Sequence, residues 1–277
     1  MKGLTSRLAL AVLSLTCLSA AAQAPKTDEV VARVSRYIAD YGMQLTNVVA
    51  EETYRQHVHE RTGRTQTRTL RSDYALTRER SHGWIGYRDT FEVDGRAVRD
   101  REARLQRLLS SGALDEAEAI MRQNSRFNLA NNLLSRNVNV PTFAIELLNP
   151  RNQDRFSHRR LGSEMIDGRE VWTLEFRERI RPTLVRTPTG GNQATRIVAL
   201  VDPSSGEVRR TTSTWEDVSG SVVVSYGRVE ALPVLVPLEM KEQFTTSGRI
   251  EIEGTATYAN YRQFETSGRL LDPPTSR

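Results

Sequence analysis

Hydrophobic residues recur along this chain with two periods, and the switch between them lays out the architecture. From Thr27 to Val49, residues Val30, Val34, Ile38, Tyr41, Leu45 and Val48 fall at steps of three and four, one face of an amphipathic helix. Asp28 and Glu29 lie in its first turn, where negative charge complements the helix dipole. From Thr53 to Val98 the period shortens to two, broken by glycine turns at Thr62-Gly63-Arg64 and Asp94-Gly95. The second is a hairpin signal, because both central positions tolerate positive φ. Alternation places Ile85, Tyr87, Phe91 and Val93 on one strand face and Trp84, Arg88 and Thr90 on the other.

A helical insert is predicted next. Asp100 caps a short helix through Leu109 that ends at Gly112, and Asp115 with Glu118 resembles a capping box for a second helix reaching Leu134. Pro141 biases Val140 towards extended conformations, and Thr142 to Leu148 adds one short helical turn. Strands then follow one another: Arg155 to Leu161, Glu170 to Ile180, Thr195 to Val201, Glu207 to Trp215, Ser221 to Val229, Val236 to Thr246 and Arg249 to Phe264. The turns Asp167-Gly168, Asp202-Pro203-Ser204-Ser205-Gly206, Ser219-Gly220 and Ser247-Gly248 separate most of them, as in an antiparallel meander. Trp172, Leu174 and Phe176 alternate with Thr173, Glu175 and Arg177; Ile250, Ile252, Ala256 and Tyr258 oppose Glu251, Glu253, Thr255 and Thr257. One side is apolar and must be covered. The N-terminal helix and an insert over about 100–149 are the available covers. The expected fold is α+β: a long, curved antiparallel sheet, unclosed, with helices on its concave face.

The N-terminus carries an export signal. Lys2 and Arg7 form a positive start, Leu8 to Leu18 is apolar, and small residues run from Ser19 to Ala24. Cleavage after Ala22 leaves a single domain over 23–277, with no second apolar run long enough to span a membrane. Cys17 is the only cysteine. Its flanks, Ser14 and Thr16, fit a lipid-attachment box poorly, so it is expected to leave with the signal and take thiol chemistry with it. The protein is expected to be exported, to the periplasm or beyond.

Charge changes this picture little. The net charge of +5 falls to +3 once Lys2 and Arg7 are removed. Lysine occurs only at positions 2, 26 and 241, and the arginines alternate with acids, as in Arg99-Asp100-Arg101-Glu102. A nucleic-acid surface needs unopposed basic stripes with aromatics between them. Among candidate sites, His57-Val58-His59 puts two imidazoles on one strand side, and a metal would need His82 or Asp73 as a third ligand. Asp89, Glu92 and Asp94 form an acidic cluster that hairpin chemistry explains, with Asp89 and Glu92 expected on opposite faces. Asn124, Asn128, Asn131 and Asn132 share one helix side, expected to face solvent. No nucleophile elbow, zinc-protease helix or phosphate-cradling glycine loop is present. Neither a metal nor a cofactor is expected.

The leading helix, the hairpin Val201-Asp202-Pro203-Ser204-Ser205-Gly206-Glu207-Val208-Arg209 and the closing strands resemble the lipoprotein-carrier superfamily of LolA, LolB and related periplasmic lipid carriers. Tyr87-Arg88-Asp89-Thr90-Phe91-Glu92-Val93-Asp94-Gly95, Arg99-Asp100-Arg101-Glu102 and Ala256-Thr257-Tyr258-Ala259-Asn260-Tyr261-Arg262 are similar to stretches of a group of uncharacterised exported bacterial proteins. The first resemblance implies an unclosed barrel with helices plugging an apolar concavity. Helped by it, the leading expectation is a non-enzymatic carrier or chaperone for an apolar ligand, a lipid or a lipidated protein. The groove lining would be Tyr87, Phe91, Trp172, Phe176, Met240 and Ile252. The alternative is an envelope interaction module with a filled core; third comes a metal-dependent hydrolase using His57 and His59.

Overall fold

Helix α1 (Thr27–Leu45) carries the predicted stripe and buries Val30, Val34, Ile38 and Tyr41 completely. It stops short of Val49 because Val48 already pairs with Gln263, opening strand β1 (Val48–Glu60). The computed structural model describes residues 24–45, 48–79, 83–98, 122–130, 136, 138–166, 168–187, 189–215, 217–230, 232–246 and 250–263. The proposed signal over 1–22, Cys17 and the first helix of the insert lie outside them.

After β1 come β2 (Thr65–Glu79), β3 (Gly83–Val93) and the short β4 (Arg96–Ala97). Helix α2 (Phe143–Leu147) and a 3₁₀ turn (Pro150–Arg155) lead into β5 (Phe156–Ile166) and β6 (Arg169–Glu178). A two-stranded ribbon, β7 (Val185–Arg186) with β8 (Asn192–Gln193), precedes β9 (Thr195–Val201) and β10 (Val208–Trp215). The chain closes with β11 (Ser219–Arg228), β12 (Leu235–Thr246) and β13 (Ile250–Gln263). Eleven strands form one sheet in the order β4-β3-β2-β1-β13-β12-β11-β10-β9-β6-β5, every pairing antiparallel. The last strand returns to the first, while β4 and β5 do not meet, so the sheet is unclosed. This is the α+β architecture expected.

The sequence-predicted alternation holds on the later strands. Trp172, Leu174 and Phe176, like Ile252, Ala256 and Tyr258, turn to the inner face and join one core with the α1 stripe and with Ala144, Ile145 and Leu148. The turn between β9 and β10 docks this sheet against α1. Asp202 accepts the backbone N–H groups of Ser204 and Ser205 at 2.8 and 3.2 Å, and Arg33 donates to the Pro203 carbonyl at 2.5 Å. Gly206 sits there at φ +81, and a Cβ would lie 2.4 Å from the Arg33 carbonyl carbon. Both the left-handed backbone and the close approach require glycine.

The predicted second helix of the insert is shorter than the sequence suggests. Its described residues are helical at 122–125, turns follow at 126–127 and 129–130, and Ala130 takes φ 53. The chain leaves the helix there to cross the sheet, held by contacts described next.

Candidate functional site

Of the residues expected to line a groove, Trp172, Phe176, Met240 and Ile252 stand on the inner face, at 1%, 3%, 0% and 0% exposure. Met240 lies opposite Val224 and Ala256, and Ile252 opposite Val58 and Phe244. Burial this complete leaves no space the size of a water molecule beside them, so this conformation has the face filled there. Tyr87 and Phe91 are elsewhere. Arg71 pairs with Glu92 but Ser72 with Thr90, so Phe91 is the extra residue of a bulge, which reverses the phase of β3. Tyr87 pairs with Ala75 on the outer face, and Phe91 lies under the Arg71 guanidinium, 5.3 Å from its ring centroid. The residues turned inward are Arg88 and Thr90, which the alternation had assigned to the opposite face from Tyr87 and Phe91.

The feature that the expectation missed is polar. Two arginines, fully buried, fasten residues 122–130, 136 and 138–142 onto the inner face. Arg88 on β3 donates to Glu52 of β1 through Nε at 2.5 Å and Nη2 at 2.8 Å. It also donates to the carbonyls of Asn139 at 2.8 Å and Asn124 at 3.3 Å, while stacking over Tyr54 at 5.0 Å. Arg136 reaches the other way, donating to Glu242 of β12 at 3.1 Å, Gln56 of β1 at 3.0 Å and the Leu129 carbonyl at 2.8 Å. Side chains of both pairs have no exposure. Tyr258 donates to Glu52 at 2.8 Å and Tyr54 to Glu242. Burial, with the carboxylates beside them, pushes both phenols well above their ordinary range, so both remain donors. Burial alone would lower the Arg88 pKa; the Glu52 carboxylate more than offsets that and holds it raised.

Asn124 and Asn128 are buried rather than facing solvent; Asn131 and Asn132 lie outside the described residues. Asn124 accepts from the Arg88 backbone N–H at 2.6 Å and donates to the Gly86 carbonyl at 2.8 Å, occupying the edge of β3 as a neighbouring strand would. Further along, Thr142 meets the Tyr74 hydroxyl at 2.7 Å and Tyr226 donates to the Pro141 carbonyl at 2.8 Å. The crossing segment is therefore a roof, pinned at β3, at the sheet centre and at β11.

One roof carboxylate is held in an unfavourable state. Burial pushes Glu146 on α2 up from 4.5 to about 7, against hydrogen bonds from Thr142 and the Gly86 backbone that lower it. The folded protein thus holds this proton more tightly than the unfolded chain. Its contribution to stability is present below about pH 4.5 and is lost as pH rises through about 7. Glu146→Gln is expected to flatten the stability profile between those values and to raise the denaturation midpoint at pH 8; urea titrations at pH 5 and pH 8 check this.

The remaining candidates separate. His57 and His59 do share one side, their rings stacked 6.4 Å apart. Asp73 lies far from them opposite Glu51, ion-paired with Arg262 at 2.7 Å, and His82 is outside the described residues. Among the described residues no three His, Cys, Asp or Glu side chains gather as a metal site. The bulge at Phe91 also turns Asp89 and Glu92 to the same face rather than opposite ones, with Asp89 across from Asp73 and Glu92 3.5 Å from Arg71. Asp94 serves its turn, accepting from the Thr69 N–H at 2.8 Å.

No family model and no curated protein sequence matches the chain. Among solved structures it is similar to an outer membrane lipoprotein-sorting protein domain from Vibrio parahaemolyticus, at 13% identity and TM-score 0.43, covering 86% of this chain and 94% of that one. A DUF1329 family protein from Desulfovibrio piger follows, at 12% identity and TM-score 0.39, with 89% and 96% covered. A LolA superfamily protein from Nitrosomonas europaea is 8% identical at TM-score 0.35, with 83% and 94% covered. At these values the likeness concerns the course of the chain alone. No described helix is long and apolar enough to cross a membrane.

Proposed function

We propose that the protein is an exported carrier that receives an acyl chain on its inner sheet face when the roof, residues 122–130, 136 and 138–142, lifts. The observation that supports this most is the way the roof is fastened. Buried ion pairs hold it, and such pairs add little net stability because desolvation offsets their attraction. The clamp is also incomplete: Gln56 Nε2, Asn139 Oδ1 and Glu242 Oε2 find no partner among the described residues, and each such group costs about 1–3 kcal/mol. A roof held this way comes away more readily than one sealed by a continuous apolar seam. On the same inner face lie Met240, 4.0 Å from the Tyr258 hydroxyl that joins the clamp, and Ile252, Trp172 and Phe176, an apolar surface for the ligand. Each methylene buried there contributes about 0.8 kcal/mol, so a chain of roughly ten carbons offsets ordinary association costs.

The test is titration of the purified chain with an environment-sensitive acyl fluorophore. Saturable uptake at one site, displaced by a fatty acid, is the expected result. Met240→Ala, which enlarges the space, should tighten uptake several-fold. If Met240→Ala leaves uptake unchanged, the ligand sits elsewhere.

A second reading, an envelope interaction module, has its own observation. Among the described residues strand β5 pairs with β6 alone, and along it Leu161 and Met165 are 44% and 66% exposed. Under that reading the chain takes up no acyl probe, and Met165→Arg abolishes capture of its envelope partner.

A further inference from the structure

The outer face carries a second feature, independent of the roof and of the reading built on it. Glu175 on β6 is surrounded by three guanidinium groups. Arg159 reaches it through Nε at 2.6 Å, Arg177 through Nε at 3.0 Å and Nη2 at 3.4 Å, and Arg196 through Nε at 2.5 Å. Hydrogen bonds from Arg159 and Arg177 hold its carboxyl down at about 2, so it stays charged and fixes the arginines in place. The carboxylate itself is only 1% exposed, whereas Arg159, Arg177 and Arg196 are 63%, 50% and 38% exposed. Arg159 and Arg196 hold the carboxylate by Nε, which leaves their terminal NH₂ groups turned to other uses. The guanidinium of Arg179, next along, donates to the Ser157 hydroxyl at 2.8 Å.

Two hollows adjoin this cluster and share Arg177 and Arg179. The first, about 330 Å³, is lined by Ser157, Arg159 and Glu175 among others. The second, about 270 Å³, is lined by Arg196, Glu178, Thr195 and Trp215. Glu178 is already engaged by Arg155 at 3.5 Å and by the Leu184 backbone N–H at 2.7 Å. Thr195 and Trp215 close the second hollow from the inner side of the sheet, in phase with Ile197.

We propose that these hollows form a binding site for a phosphoryl group, with Arg177 and Arg179 as its shared wall. The excess of guanidinium over carboxylate matches a doubly charged phosphomonoester. Arginine forks bind phosphate oxygens in pairs. The phosphoryl group belongs either to a soluble compound or to a lipid headgroup, and the experiment separates them.

The mature chain is titrated calorimetrically with inorganic phosphate and sedimented with phosphatidylcholine vesicles, with and without phosphatidic acid. Binding in at least one arm is expected, and Arg177→Gln/Arg179→Gln should weaken it at least tenfold. Arg179→Gln alone, which breaks the Ser157 contact, should weaken it several-fold without altering the thermal transition. Arg61→Gln, in the β1–β2 turn, removes the same charge and should leave binding unchanged. Phosphate binding without vesicle binding assigns a soluble ligand; preference for phosphatidic acid vesicles assigns a headgroup. The proposal is overturned if the wild type binds neither. It also fails if the arginine variants bind as the wild type does, or if Arg61→Gln weakens binding equally.

Discussion

Arg88→Met is expected to lower folding stability by about 3–5 kcal/mol, the usual effect of stripping one partner from a buried ion pair. Three things are lost together. Glu52 keeps only the Tyr258 hydroxyl, the Asn139 and Asn124 carbonyls lose a donor, and Tyr54 loses the cation over its ring. For a chain of this length the melting temperature should fall by roughly 10 °C. The charge, rather than the volume, is responsible: Glu52→Gln in the Arg88→Met background should recover part of the loss, since no buried charge is then left unpaired. Thermal and urea denaturation of the two variants decide this. Equal stability of Arg88→Met and wild type would mean that Glu52 finds water in solution and that the clamp is open.

Arg136→Met should act on binding more than on the sheet. Arg136 ties the roof to β12, and its loss leaves the Leu129 carbonyl without that donor, Gln56 with the Leu129 N–H and Glu242 with the Tyr54 hydroxyl. A carrier whose open state is rare binds its ligand with an affinity reduced by that rarity. Weakening the tie should therefore strengthen acyl uptake by about tenfold, a shift of roughly 1.4 kcal/mol in the opening equilibrium. Amide exchange should quicken across the roof and stay slow in β6 and β9. Uptake unchanged while stability falls would make the clamp purely structural.

The contrast between strands explains what the sequence conveys and what it hides. From Trp172 to Phe176 on β6 and from Ile250 to Tyr258 on β13 the outer positions are polar and the inner ones carry the apolar side chains, so a period of two reads the face directly, and the Asp202–Gly206 turn chemistry marks where the chain reverses. The inner face of β1 runs Glu52, Tyr54, Gln56, Val58, and that of β12 runs Met240, Glu242, Phe244. A carboxylate in phase with apolar neighbours is the available sign of a buried ion pair, and Glu242 shows it clearly. On β3 a hydrophobic count misleads, because the bulge at Phe91 shifts the phase and Arg88 turns inward. A bulge is set by which residues pair across strands, and no local spacing encodes that. The asparagines of the insert mislead for the same reason: Asn124 and Asn128 satisfy backbone and arginine groups distant in sequence.

Native mass spectrometry of the protein drawn from the cell that makes it tests the account most directly. A single acyl-bearing adduct on the Arg136→Met chain, and a smaller fraction of the same adduct on the wild type, is the predicted spectrum. Bare protein in both samples, still bare after incubation with fatty acid, would contradict a ligand beneath the roof.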